Sequence, residues 1–239
     1  MNLDIYKGVT WNGSSFWHGT STIFLESIRQ TGLGAVSPAK DYKLLEMLTF
    51  LYREVQEKEI WHPVLDINRA AIEAAIAQSS MFYEGRWLNY RHDGTYVSAS
   101  PMRAAYYACL SKAGSELLEK CLILLSVLID ANCEPEFPDG FDVMKIRQHL
   151  EIPAKPIMVE ITAVPDEVLL LEDGGDATQM LERMRQAFPK LSRREQFEQL
   201  QFCNFCIIKP VPVQSLHYYD VDCSGNPKNR DFEYYLSKA

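Results

Sequence analysis

The chain has 239 residues, of which 47% are hydrophobic and 23% charged, and a formal net charge of −8. That length and composition describe a single globular domain of the larger kind over residues 1–239, and the acidic balance argues against broad electrostatic binding to nucleic acid or to an anionic membrane. The longest strongly apolar run, "CLILLSVLIDA" from Cys121 to Ala131, falls far short of the ~20 residues that cross a bilayer. The opening "MNLDIYKGVTWNG" lacks a basic start followed by an apolar stretch, so a cytoplasmic protein is expected.

Along the chain, "FWHGTS" reads as a short strand. In "TIFLESIRQTGLG" Ile23, Phe24 and Ile28 fall in helical register, Ser21 or Thr22 is placed to cap, and Gly32 ends the helix. "DYKLLEMLTFLYREVQEKEIW" carries Leu44, Leu45, Leu48, Leu51, Tyr52 and Val55 at helical spacing, and the alanine-rich "DINRAAIEAAIAQSS" follows as a second helix. Residues 38–80 therefore form a helical insert.

Asp93-Gly94 marks a turn, Thr95 to Ser98 a strand, and Ser100-Pro101 the start of helical structure that runs to about residue 130 with a break at Gly114. "KPIMVEITAVPDEVLLLEDGG" reads as two strands around Val164-Pro165-Asp166, with Met158, Glu160 and Thr162 alternating against Ile157, Val159 and Ile161. One or two helices follow, and "FCNFCIIKPVPVQSLHYYDVD" supplies a strand, a proline break and another strand. Breaks of hairpin type outnumber βαβ crossovers, which predicts an α+β fold with antiparallel strands.

The six cysteines are too few for a disulfide scaffold, so reduced thiols are expected. Cys203 and Cys206 have C-x-x-C spacing, but no second pair completes four zinc ligands, and no metal is expected.

Two stretches combine aromatic and polar residues beside glycine: Trp17-His18-Gly19-Thr20-Ser21, and Gly94-Thr95-Tyr96 with Tyr107 eleven residues after Tyr96. Taken singly, each suits half-buried core packing. Together, and in this order, they resemble the NAD-binding core of the ADP-ribosyltransferase superfamily, in its poly(ADP-ribose)-polymerase-like or diphtheria-toxin-like branch. The resemblance implies a split antiparallel sheet with surrounding helices. It implies that His18 bonds a ribose hydroxyl of NAD, that Gly19 holds the nicotinamide carboxamide through its backbone, and that Tyr96 and Tyr107 stack on the nicotinamide ring. Thr20 and Ser98 would line the pocket, and Ala104 stands where the family often has a serine.

The family's third motif is a catalytic glutamate on a later strand. In this register Asn204 takes its place, and a shift of one residue would give Phe205. Glu198, Gln201, Glu160 and Glu172 stay open as substitutes, although Glu198 in "REQFEQL" suits a solvated helix face. The resemblance thus implies an NAD-dependent mono-ADP-ribosyltransferase with NAD as co-substrate and a protein as acceptor. Its alternatives are a catalytically silent module that binds NAD or ADP-ribose, and an RNA 2′-phosphotransferase-like enzyme in which Arg91 and His92 would meet a phosphate.

Overall fold

The computed structural model describes residues 11–83, 86–92, 94–111, 113–226 and 231–239. The N-terminal stretch read for a signal, up to residue 10, and the Asp93 half of the expected turn lie outside the described residues. In chain order the elements are β1 (Phe16–Ser21), α1 (Thr22–Thr31), α2 (Leu44–Glu57), α3 (Pro63–Ile76), β2 (Ser80–Tyr83), β3 (Arg86–Asn89), β4 (Thr95–Ser98), α4 (Pro101–Leu110) and α5 (Glu116–Asp130). They continue with α6 (Gln148–Glu151), β5 (Pro156–Ile161), β6 (Leu169–Leu171), α7 (Thr178–Ala187), α8 (Arg193–Leu200), β7 (Asn204–Ile207), β8 (Leu216–Asn226) and β9 (Asp231–Lys238).

These elements form two compact units. The first comprises Met1–Val36, Gly94–Gly114 and Lys155–Ala239, and the second Ser37–Asp93 and Ser115–Ala154. The insert expected at 38–80 is helical, as its periodicity requires, but it is only part of the second unit, which also takes in α5, α6 and the β2–β3 pair. Leu44, Leu48 and Leu51 of α2 and Leu117, Leu124 and Leu128 of α5 are buried in that unit. Cys121, buried among them, donates a long hydrogen bond to the Leu44 carbonyl at 3.5 Å.

The first unit is built on a seven-stranded sheet in the order β6-β7-β4-β1-β5-β8-β9, antiparallel at every pairing. Strand β1 pairs with β5 along its whole length, from Phe16 opposite Ile161 to Ser21 opposite Pro156. With β4 it shares a single register position, Trp17 opposite Ser98, so the sheet parts between β1 and β4 beyond that point. The α+β class and the antiparallel sheet are thus as the sequence predicts.

Helix α1 begins where the sequence places its cap. The Ser21 side chain accepts a hydrogen bond from the Ile23 N–H, Phe24 and Ile28 are buried, and Gly32 ends the helix at φ 89°, a left-handed angle natural only to glycine. In β5, Ile157, Val159 and Ile161 are buried as their alternation predicts, but Met158 on the opposite face is buried too. The reason is α4, whose Ala104, Ala105 and Ala108 pack with Met158, Val221 and Phe232 into one cluster. Small residues on α4 let the helix approach the sheet closely and cover the face that alternation alone leaves to solvent.

The expectation of reduced thiols is overturned at one pair. Cys109 of α4 and Cys223 of β8 form a disulfide with a Cα–Cα distance of 6.5 Å, across 114 residues of sequence. Cysteine count speaks for a scaffold only when the bridges are many, and a single bridge between distant residues leaves no spacing signal. Cys121, Cys133, Cys203 and Cys206 are not disulfide-bonded. Titration of thiols in the unreduced, denatured chain should therefore find four; a count of six would contradict the bridge. Among the described residues no helix is long and apolar enough to cross a membrane.

Candidate functional site

His18, Gly19, Thr20, Tyr96, Ser98, Tyr107 and Asn204 all belong to the first unit. His18, in the middle of β1, brings its Nδ1 to 2.8 Å from the Tyr96 carbonyl oxygen of β4, so the first and second motifs meet across the parting of the sheet. A carbonyl only accepts, so Nδ1 carries the proton in this bond. Desolvation lowers the His18 pKa from its ordinary 6.5, against a smaller opposite effect of the Tyr96 carbonyl. The ring is therefore neutral at physiological pH, with Nε2 as a hydrogen-bond acceptor. That is the chemistry needed to receive a sugar hydroxyl.

Above about pH 6.5 His18 is neutral both folded and unfolded; below it the unfolded chain takes up a proton that the folded chain resists. Stability should fall as pH drops from about 6.5 towards the lowered folded pKa. His149 of the second unit, also lowered by burial, adds a loss in the same direction. Denaturant melts at pH 7.5 and 5.5 should show the loss in the native protein and a smaller one in His18→Ala.

Gly19 follows, and its lack of a side chain is a steric requirement. A Cβ there would lie 2.1 Å from the Ala104 carbonyl oxygen and 2.8 Å from the Ala108 nitrogen, both backbone atoms of α4. The glycine thus seats α4 directly on β1, which fixes Arg103, Tyr106 and Tyr107 relative to His18. Ala104, where the resembling family often carries a serine, is fully buried in this contact. Tyr107 is 37% exposed, and Arg103 donates to its phenol oxygen at 2.9 Å while its guanidinium lies 4.7 Å from the ring centroid.

Thr20 and Ser98, expected to line the pocket, are both buried and bond to backbone. Thr20 Oγ1 donates to the Gly114 carbonyl at 3.4 Å. Ser98 Oγ donates to the Cys203 carbonyl at 3.4 Å and accepts from the Ser100 N–H at 3.1 Å. They brace the strands. Ser100 caps α4 by accepting from the Arg103 N–H and is itself held by Gln201, whose Nε2 donates to it at 2.8 Å. Gln201 therefore positions α4.

Asn204 opens β7 directly opposite Ser98 of β4. Phe205, the alternative one residue on, is 0% exposed and packs edge-on against Phe16 with ring centroids 5.4 Å apart, so it belongs to the core. Of the glutamates left open, Glu198 pairs with Arg194 on the exposed face of α8, and Glu160 accepts from the Tyr219 hydroxyl at 2.9 Å. Glu172 is different. It follows Leu171, which pairs with Phe205, and so falls beside Asn204, with which its side chain shares a hydrogen bond.

A carboxylate only accepts, so the Asn204 amide nitrogen donates to Glu172. The other end of that amide, Oδ1, is buried and without a hydrogen-bond partner among the described residues. A buried carbonyl oxygen left unpaired costs about 1–3 kcal/mol, which a hydroxyl-bearing ligand would recover. Although Glu172 as a residue is exposed, desolvation of its carboxyl raises its pKa, with Arg103 and the Asn204 hydrogen bond opposing. Among the described residues no group of three His, Cys, Asp or Glu is arranged to hold a metal ion.

Sequence reasoning names His18, Gly19, Tyr96, Tyr107 and Asn204, and misses the joint placement of Glu172 and Arg103. The pattern "LLLEDGG" marks a glutamate at a strand end, but nothing local says which strand lies beside it. Comparison with protein-family models, with curated proteins and with solved structures finds no match to this chain.

Proposed function

We propose that this chain is an NAD-dependent mono-ADP-ribosyltransferase, which cleaves the nicotinamide glycosidic bond and transfers ADP-ribose to a protein acceptor. The observation that carries the reading is the His18–Tyr96 bond, because it brings together two motifs that lie 78 residues apart in the chain. The helix that carries Tyr107 is seated on the next residue, Gly19. A neutral imidazole acceptor suits a ribose hydroxyl. The faces of Tyr96 and Tyr107 suit the flat cationic nicotinamide ring through stacking and cation–π attraction.

Asn204 favours a second reading, a module that binds NAD without cleaving it, since an amide cannot offset positive charge on the sugar as a carboxylate does. Nicotinamide release from NAD by the purified protein separates the two. Transferase activity predicts release that falls by at least about 10-fold in Tyr96→Ala and Tyr107→Ala, the size of effect expected when a positioning contact to the reacting ring is lost. Tight binding of NAD without release would assign the silent module.

A further inference from the structure

The third-motif register leaves the site without a carboxylate on β7, yet the fold delivers one from the turn after the neighbouring strand. Strands β6 and β7 are antiparallel, with Leu169 opposite Ile207 and Leu171 opposite Phe205; Glu172 opens the turn after β6, and its side chain shares a hydrogen bond with Asn204, the residue before Phe205. Asn204 in turn is level with Ser98 of β4, and Ser98 with Trp17 of β1. Side chains that face each other in antiparallel register share a face of the sheet. That face is the one on which α4 lies, since Gly19, two residues from Trp17, touches Ala104 and Ala108.

We propose that Glu172 supplies the carboxylate of the site, acting on the nicotinamide ribose from the turn that follows β6, with Asn204 as its positioning residue. This rests on the reading of the chain as an enzyme that cleaves NAD. Three observations converge on it. The Asn204 side chain shares a hydrogen bond with Glu172. Arg103, reaching from the same helix as Tyr107 and bonded to its hydroxyl, lies near enough to Glu172 to oppose in part the desolvation that raises its pKa. The Asn204 Oδ1, buried and unpartnered, is a ready acceptor for a second hydroxyl beside the one the carboxylate would take. Glu160 and Glu198 have neither this neighbourhood nor this register.

In the step assigned to this arrangement, the bond between the ribose C1′ and the nicotinamide N1 breaks and its electron pair leaves with N1, so nicotinamide departs neutral. Positive charge builds on C1′ and the ring oxygen, where a nearby carboxylate stabilises it. A lone pair of the acceptor, water in the simplest case, forms the new bond to C1′. The acceptor's proton passes to Glu172 and from there to solvent.

The test is nicotinamide release and NAD binding by the full chain, native and as Glu172→Gln, Glu172→Asp and His18→Ala. Glutamine keeps the size of the side chain and an oxygen to accept from Asn204, so the melting temperature checks that the fold persists. The proposal expects release to fall about 10²-fold or more in Glu172→Gln, as for loss of one electrostatic stabiliser, with NAD binding changed by less than about 3-fold. Partial recovery in Glu172→Asp also supports it, because a merely structural role would not distinguish a shorter acid from an isosteric amide in this order. Release that is lost in His18→Ala but unchanged in Glu172→Gln overturns the role of Glu172 and leaves the transferase reading standing. Absence of release from the native protein overturns both.

Discussion

Gly19→Ala should unfold the contact between β1 and α4. The methyl carbon would fall 2.1 Å from one backbone atom and 2.8 Å from another, and neither can swing aside as the end of a flexible side chain can. Inserting a carbon into a packed interior typically costs about 1–3 kcal/mol, and a contact with backbone on both strand and helix belongs at the upper end. The melting temperature should fall by roughly 6–12 °C on that basis, and NAD binding should be lost with it, because the shift displaces the helix that carries Tyr107. An alanine variant as stable as the native protein would mean that α4 does not rest on Gly19.

His18→Ala should have the opposite profile: a protein that folds but does not act. The imidazole is held by one bond to the Tyr96 carbonyl, and its removal leaves that carbonyl beside the parting of the sheet. A stability loss of about 0.5–1.5 kcal/mol follows from the lost hydrogen bond. Nicotinamide release should drop about 10²-fold or more, since the variant loses the Nε2 acceptor of His18. His18→Gln, which retains an amide donor and acceptor, should recover part of the stability and less of the activity. Equal release from His18→Ala and the native protein would return His18 to a purely structural role.

Much of this site is legible in the sequence because its parts are local. The strand "FWHGTS", its cap at Ser21 and the stop at Gly32 each depend on neighbours within a few residues, and the structure places all three as read. The same holds for Pro101 at the first turn of α4 and for the break before α5. What escapes the sequence is pairing at a distance. Nothing in "LLLEDGG" announces that β6 lies beside β7, so Glu172 cannot be told from a surface glutamate until the register sets it next to Asn204.

The same physics explains the other departures. Cys109 and Cys223 are brought together by the packing of α4 on β8, not by any spacing. Met158 reads as the exposed side of a strand because alternation knows nothing of the alanines that cover it. The second unit draws on residues 115–154 as well as on the insert, since burying α2 requires the apolar face of α5, which returns only after the second motif. Thr20 and Ser98 are polar residues beside a predicted pocket, and only their hydrogen bonds reveal that they serve the backbone.

The central claim is that His18 and the residues around it form an NAD site. It is tested most directly by calorimetric titration of NAD into the native protein and into His18→Ala, both checked for folding by their melts. The account predicts one NAD bound per native chain, with affinity lowered by about 10-fold or more in the variant, the loss of a well-placed hydrogen bond to a neutral group amounting to about 1.4 kcal/mol. No binding by the native protein, or equal binding by the two, would contradict it.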